Sequence, residues 1–141
     1  TSSYPYYADE EIKPSAALRL LLEAGVPANH ITFTSDACGS LPGFDPVTGE
    51  LVKMETGLPA SNLRELRDAV VEEHIPLEIA LKVLTENPAK ILKLKQKGRI
   101  AAGYDADLVL LDGNLNLHSV FALGKQVVSN GILIKKGTYE R

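Results

Sequence analysis

The chain has 141 residues, of which 45% are hydrophobic and 23% are charged. This composition is ordinary for a globular protein and excludes a disordered chain, a collagen-like repeat and a coiled coil. The formal net charge of −3 argues against nucleic acid as the main partner, because phosphate binding requires a concentrated basic surface. No apolar run reaches the roughly 18–20 residues that span a bilayer, so no membrane partner is expected. A single cysteine cannot form an internal disulfide, and we expect a cytoplasmic protein.

The first 13 residues are polar and rich in tyrosine, and they show no helical or strand periodicity. The chain begins with Thr1 and its only methionine is Met54, which indicates either processing or a piece of a longer protein. From Pro14 the pattern becomes helical, with a narrow polar stripe that includes Ser15 and apolar residues over the rest of the surface. Gly25 follows the predicted end of this helix, which we expect to be buried on most of its circumference.

A short strand is predicted next, at residues 31–34, because this stretch is β-branched and aromatic. It leads directly into a long loop between Cys38 and Gly57 that is rich in glycine and proline. Residues 45–49 have turn chemistry, and residues 51–54 resemble a strand. Loops of this length inside a compact domain are usually functional, often as lids or binding loops.

Helical patterns return at Asn62, which we expect to cap a helix in a loose capping box with Glu65. A second helix is predicted over residues 77–85 and a short third one from Asn87 through Leu94.

After Gly98 the pattern indicates β-structure. Residues 107–112 form an apolar run bounded by acids, which predicts a strand buried on both faces. Apolar segments follow at residues 120–123 and 125–128, and the Asn130-Gly131 pair between apolar flanks predicts a hairpin. We therefore expect two structural layers with a boundary near Gly98.

Asp36 is the strongest candidate for chemistry, because catalytic groups and ligands gather at the carboxyl ends of strands in α/β folds. It could be a metal ligand or a general base, and a plain turn-capping role is equally compatible with its position. Gly39 would permit close approach of a substrate and Ser40 could donate a hydrogen bond to a carboxylate, although an ordinary polar turn is the simpler interpretation. Cys38 could bind a metal as a thiolate, but a small buried hydrophobe is favoured.

His30, His74 and His118 lack the i+2 or i+4 spacing of a local metal pair, so each is expected to be structural or exposed. The sequence contains no supportable Ser-His-Asp arrangement, no phosphate-cradling glycine motif and no paired cysteines. Standing alone, the chain lacks a complete active site.

The tail carries an ordered series of motifs: Asn-Pro-Ala-Lys-Ile-Leu-Lys-Leu at 87–94, Lys-Gly-Arg-Ile at 97–100 and Gly-Tyr-Asp-Ala-Asp-Leu-Val-Leu at 103–110. Together they resemble the C-terminal signature of the amidohydrolase superfamily, which comprises metal-dependent hydrolases on a (β/α)8 barrel with an attached small β-sandwich. Other motifs are similar to those of the isoaspartyl (β-aspartyl) dipeptidase family. These are residues 1–3, 24–27, 31–40 with their Ser-Asp-x-x-Gly-Ser pattern, and 136–140.

The resemblance implies an α/β fold that is the C-terminal part of a TIM-like barrel, from the end of strand seven to helix eight, followed by the C-terminal strands of the sandwich. Residues 1–3 would end barrel strand seven, residues 14–24 would form the next helix, and residues 31–35 would form strand eight. Residues 1–97 would then belong to the barrel and residues 98–141 to the sandwich.

The resemblance also implies chemistry. Asp36 matches the strand-eight aspartate that binds one metal of a two-zinc site and carries a proton from the metal-bound water to the leaving amine. Ser40 matches the serine that contacts a bound dipeptide, and Gly39 belongs to the same substrate-binding motif. The whole protein would be a zinc metallopeptidase that hydrolyses β-aspartyl dipeptides and forms a homo-oligomer.

The family's His-x-His pair, bridging carboxylated lysine, two later histidines, and substrate arginines and tyrosine are absent, and they would lie upstream of Thr1. We therefore expect the 141-residue chain alone to need its N-terminal part, to bind no tight zinc pair and to be inactive. Two alternatives remain. One is another amidohydrolase, dihydroorotase-like or amino-sugar deacetylase-like, and the other is a non-catalytic binding or assembly module.

Overall fold

The structure is a computed structural model that describes residues 12–45 and 47–137. These residues form helices and two small antiparallel sheets. They divide into two compact units between Pro88 and Ala89, whereas the sequence placed the boundary between residues 97 and 98. The strand-seven prediction for residues 1–3 lies outside the described residues, as does most of the 136–140 motif. None of the described helices is long and apolar enough to cross a membrane.

Helix α1, Pro14–Glu23, confirms the first predicted helix, with proline in its first turn. Its end is a Schellman motif in which the N–H of Gly25 donates to the carbonyl of Leu22 at 3.0 Å and the N–H of Val26 to that of Leu21 at 3.0 Å. Gly25 has a φ of 82°, which explains why glycine follows this helix.

The predicted burial of α1 is wrong in part. Ser15, which was placed on the polar stripe, is fully buried, and Leu20 and Leu21 are 42% and 41% exposed. Of the described elements, only α2, Ser61–Val71, packs substantially against α1, so part of the surface of α1 has no cover in this unit.

The predicted capping box at Asn62 is also wrong. Helix α2 begins at Ser61, so Asn62 lies inside it, and its N-cap Ala60 makes no side-chain cap. Glu65 instead caps α1. Its Oε2 accepts a hydrogen bond from the backbone N–H of Ser15, in the first turn of α1, at 3.1 Å. Glu65 is completely buried, and its oxygen satisfies one of the backbone N–H groups that a helix N-terminus leaves without an intrahelical partner.

Residues 31–35, predicted to be a strand, are not in a sheet. The backbone is extended at Ile31, with φ −110° and ψ 138°, and Ile31 is buried. The N–H of Phe33 donates to the carbonyl of Val83 at 3.1 Å. A parallel strand requires a neighbouring strand for its ladder, and the described residues place none beside this segment.

Two short helices follow α2: α3, Leu77–Lys82, and α4, Glu86–Ile91. In α4 the amide of Asn87 donates to two carbonyls, those of Ala28 and Ile31, both at 2.7 Å. Ala28 belongs to a single 3-10 turn, Ala28–His30, that precedes the extended segment. Asn87 therefore fixes the start of the segment that leads to Asp36.

The long predicted loop contains a β-hairpin. Strand β1, Ser40–Phe44, pairs antiparallel with β2, Leu51–Thr56, and Ser40 lies opposite Thr56. The turn chemistry and the second strand were predicted correctly. The first strand was missed because Pro42 and Gly43 are unfavourable strand residues.

The second unit contains a four-stranded antiparallel meander in the order β3-β4-β5-β6. The strands are β3 Leu108–Leu111, β4 Leu117–Ala122, β5 Lys125–Ser129 and β6 Ile132–Leu133. The Asn130-Gly131 hairpin is confirmed, with φ values of 49° and 73° that identify a type I′ turn. Leu123 and Gly124 form a second positive-φ turn, at 49° and 74°, which the sequence did not reveal.

Strand β3 is not buried on both faces as predicted, because Val109 is 57% exposed and Leu110 48%. Its unit presents one sheet among the described residues, so no second layer of that unit covers these side chains.

The signature residue Asp107 lies just before β3 and links two parts of its unit. Its carboxylate pairs with the ammonium of Lys97 and accepts the backbone N–H of Leu123 at 2.7 Å, while Lys97 also pairs with Asp105 at 2.9 Å. The hydrogen bond from Lys97, followed by that from Leu123, holds the pKa of Asp107 below its ordinary value. The hydrogen bonds of Lys97 to Asp107 and then to Asp105 raise the pKa of Lys97.

Candidate active-site turn

Asp36 ends the extended segment and begins a tight turn. Its φ is 51°, in the left-handed region that aspartate tolerates better than most residues. Its N–H donates to Oγ1 of Thr34 at 3.3 Å, and the N–H of Ala37 donates to Oγ of Ser35 at 3.2 Å. The side chain of Asp36 is exposed. Residues 34–39, which we call the Asp36 turn, thus present this carboxylate to the outside of the unit.

The Asp36 turn is tied to the base of the β1–β2 hairpin. The N–H of Cys38 donates to the carbonyl of Gly57 at 3.0 Å, and the N–H of Gly57 returns a bond to the carbonyl of Gly39 at 2.9 Å. Within the turn, the N–H of Gly39 donates to the carbonyl of Asp36 at 3.0 Å. The main chain around Asp36 is therefore fixed by its own turn and by the hairpin that follows it.

The neighbouring candidates take different positions. Ser40 is exposed at the start of β1, and Gly39 is half-buried between it and Asp36. Cys38 is a free, exposed thiol with a φ of 64°, so the expectation of a small buried hydrophobe is wrong. Its place in the turn points it outward instead.

An open groove of about 540 Å³ lies between the hairpin and the start of α2. Its lining includes Leu41, which follows Ser40, together with Met54 and Leu58. Arg64 of α2 adds a cationic group at 39% side-chain exposure. Glu55, Thr56 and Ser61 complete its polar side, so the groove is mixed in character, and it adjoins the strand that begins with Ser40.

The described residues do not form a metal site by themselves, because no three histidine, cysteine, aspartate or glutamate side chains among residues 12–45 and 47–137 come together. A carboxylate oxygen such as that of Asp36 is a suitable zinc ligand, but zinc in proteins takes about four ligands, three or more of them from the protein. These residues therefore fit one ligand position. His30, His74 and His118 are exposed, as expected, and the ring Nδ1 of His118 lies 2.9 Å from Oγ of Ser119.

Comparison with known proteins identifies the family. Residues 10–137 match the amidohydrolase family. The chain belongs to that family. Its fold is of the TIM-barrel type, with mixed α/β content and small antiparallel sheets, and the family's members are hydrolases that generally use divalent metals.

One similar structure is the β-aspartyl dipeptidase of Fervidobacterium islandicum AW-1 in complex with β-Asp-Leu. It is 32% identical, with a TM-score of 0.75, over 95% of this chain and 35% of its own. An N-acetylglucosamine-6-phosphate deacetylase of Lysinibacillus sphaericus is 32% identical over 56% of this chain and 18% of its own length. An allantoinase of Deinococcus radiodurans is 46% identical over 33% of this chain and 10% of its own. The amidohydrolase chain described here thus spans about a third of the dipeptidase and less of the curated relatives.

Two residues that hold the site were not singled out for this role from the sequence. Asn87 was noted only as the start of a short helix and as a motif residue, and Gly57 only as the end of a loop. Because the bonding partners of Asn87 lie 56 and 59 residues away, no local pattern reveals them.

Proposed function

We propose that this amidohydrolase chain is the C-terminal third of a zinc-dependent peptidase that hydrolyses β-aspartyl dipeptides. The observation that carries the proposal is the 32% identity and TM-score of 0.75, over 95% of the chain, to a β-aspartyl dipeptidase bound to β-Asp-Leu. The Ser-Asp-x-x-Gly-Ser pattern and the exposed Asp36 carboxylate support it.

In this proposal Asp36 has two tasks: its carboxylate is one metal ligand, and it accepts a proton from the attacking water and delivers it to the leaving amine. Zinc, when bound, would supply a water whose pKa lies near neutrality. Ser40, exposed at the start of β1, would donate a hydrogen bond to the dipeptide. The remaining ligands would come from the N-terminal part of the protein.

The proposed dependence on an N-terminal part is supported by exposed apolar side chains in both units. The large exposed side chains include Leu20, Leu21, Val109, Leu110 and Ile134. Such surface requires cover by further chain or by a second copy, since soluble proteins rarely leave large apolar patches exposed. We propose that the missing N-terminal part and homo-oligomer formation provide it, in a cytoplasmic protein, and that residues 1–141 alone are inactive.

A second candidate is deacetylation of an amino-sugar phosphate, favoured by the 32% identity to the Lysinibacillus sphaericus deacetylase over 79 residues. The two candidates share the need for a metal and a strand-eight carboxylate. They differ in substrate, so direct assay separates them.

The test uses the full-length protein that contains this chain, loaded with zinc and assayed with β-Asp-Leu and with N-acetylglucosamine-6-phosphate. We expect hydrolysis of the dipeptide and a fall in kcat of about 10²–10⁴-fold for Asp36→Asn, the range of general acid–base catalysis. Glu50→Gln, at an exposed carboxylate of the same hairpin region, is the matched control and should keep full activity. Deacetylation without dipeptide hydrolysis would favour the second candidate. Full activity of Asp36→Asn, or hydrolysis by purified residues 1–141, would refute the proposed roles.

A further inference from the structure

Gly39 lies so close to Asp36 that a side chain at this position would be crowded. A Cβ added at Gly39 would lie 3.0 Å from the backbone oxygen of Asp36, 3.0 Å from its Oδ1 and 3.1 Å from its Cγ. Ordinary van der Waals contact begins at about 3.5 Å between carbon atoms. Gly39 does not have a positive φ, so the site requires glycine for space and not for backbone freedom.

An added Cβ would press on both the carbonyl oxygen and the carboxylate of Asp36, and the carboxylate is the part that can move more freely. The main chain of Asp36 is held on both sides, by its N–H bond to Thr34 and by the bond that its carbonyl accepts from Gly39. Gly57 holds the next stretch through its bonds to Cys38 and Gly39. The Asp36 side chain is exposed, so it can rotate away from an added methyl group, whereas the hydrogen-bonded carbonyl oxygen of Asp36 would have to shift by a few tenths of an ångström.

From this geometry we propose that Gly39 is a positioning residue. Because Gly39 has no side chain, the Asp36 carboxylate can occupy the space beside its Cα. The inference rests on the proposed function, in which that carboxylate is a metal ligand and proton carrier. It assigns Gly39 a role through Asp36, whereas a glycine that merely admits the substrate would act on substrate binding.

The two roles predict different kinetics. A displaced carboxylate impairs the chemical step, so kcat falls while KM stays nearly constant, and a misplacement of 1 Å can cost about 100-fold in rate. A methyl group that blocks the substrate raises KM and leaves kcat nearly unchanged.

The experiment compares Gly39→Ala with wild type in the full-length protein. Gly113→Ala is the matched control, because a Cβ at Gly113 has no neighbour within 4 Å and its φ is not positive. We expect Gly39→Ala to lower kcat for β-Asp-Leu by up to about 100-fold at unchanged KM. The visible spectrum of the Co²⁺-loaded protein, which reports the ligand set, should change for Gly39→Ala and remain that of wild type for Gly113→Ala.

Thr34→Val is a second variant, because it removes the oxygen that accepts the Asp36 N–H while keeping the size of the side chain. It should lower kcat about fivefold, the value of one modest hydrogen bond, and shift the Co²⁺ spectrum in the same direction. If Gly39→Ala fails to fold, Thr34→Val is used to test the proposal instead.

A wild-type Co²⁺ spectrum in Gly39→Ala, or a raised KM with kcat retained, overturns the positioning role. The Co²⁺ readout needs no dipeptide. If the wild-type protein does not hydrolyse β-Asp-Leu, the proposed substrate fails, while a changed spectrum still supports the placement of Asp36 by Gly39.

Discussion

Asn87 offers the sharpest test of how the segment before Asp36 is held. Its side chain is 4% exposed, and its amide nitrogen lies 2.7 Å from the carbonyl oxygens of Ala28 and Ile31. Carbonyl oxygens only accept hydrogen bonds, so the atom between them must be the NH₂ group, whose two protons serve one carbonyl each. Replacing Asn87 therefore breaks two bonds that span more than 50 residues of chain.

The cost of Asn87→Ala can be estimated from the surroundings of the two carbonyls. The carbonyl of Ala28 retains a backbone bond from the N–H of Ile31 at 3.2 Å, so it loses only the net value of one hydrogen bond, about 0.5–1.5 kcal/mol. The bond to the carbonyl of Ile31 is buried, and removing the donor exposes that oxygen to a desolvation penalty of about 1–3 kcal/mol. We expect the free energy of unfolding to fall by about 2–4 kcal/mol.

Asn87→Asp is the more informative variant, because it keeps the shape and replaces the NH₂ donor by an oxygen facing two carbonyl oxygens. The acid can fit this place only when it is protonated, so its folded-state pKa must lie above its unfolded value of about 3.9. Stability is then fully present below that unfolded value and is lost as the pH rises through the raised folded pKa. At pH 7 Asn87→Asp should be less stable than Asn87→Ala, and the order should reverse in acid.

Urea denaturation at pH 7 and at pH 4 measures these differences, with Asn29→Ala as the control at an exposed asparagine of the same 3-10 turn. The control should stay within about 0.5 kcal/mol of wild type. An Asn87→Ala variant as stable as Asn29→Ala, or an Asn87→Asp variant whose stability does not depend on pH in this way, would refute the reasoning.

Two further predictions concern the second unit. Contact with Lys97 and the N–H of Leu123 lowers the pKa of Asp107, so its stabilising contribution is present above its unfolded pKa and is lost as the pH falls through the lower folded value. Asp107→Asn should lower the thermal midpoint at pH 7, and the gap to wild type should close below about pH 4, whereas a constant gap would contradict the assignment. Gly131 has a φ of 73°, and a Cβ there would lie 3.4 Å from the carbonyl of Leu117. Gly131→Ala should therefore cost about 1–2 kcal/mol in urea denaturation, and a loss no larger than that of Gly113→Ala would contradict it.

Local patterns predicted the local structure well. Helix α1, its glycine end and the Asn130-Gly131 turn follow from residues within a few positions of one another, and all are present. The same reasoning failed where the burial of a side chain depends on residues that are far away in the sequence. Leu20 and Val109 were expected to be covered, yet the described residues of their units leave them exposed.

The candidate site was also predicted in its local features and not in its long-range contacts. Asp36 could be singled out because strand ends carry chemistry and because its motif resembles a family pattern. The local geometry of Asp36 could not be predicted in this way. The motif does not predict that Gly57 closes the turn. The bonds of Gly57 to Cys38 and Gly39 join main-chain atoms, which nearly every residue type has, so the sequence shows no sign of them. Glu65 was placed in a capping box by its spacing, but it caps a helix 50 residues away.

These contacts together show how the main chain at Asp36 obtains a fixed position without a paired strand. The segment that carries Asp36 is fixed at its start by Asn87, in its middle by the bond from Phe33 to Val83, and at its end by the hairpin base. A barrel strand would receive the same constraint from neighbouring strands, which the described residues do not supply. Each anchor belongs to the unit that contains Asp36, so the position of the Asp36 main chain within that unit does not depend on other metal ligands. The carboxylate itself is exposed, so its orientation is the part of the site that a bound metal and Gly39 would have to set.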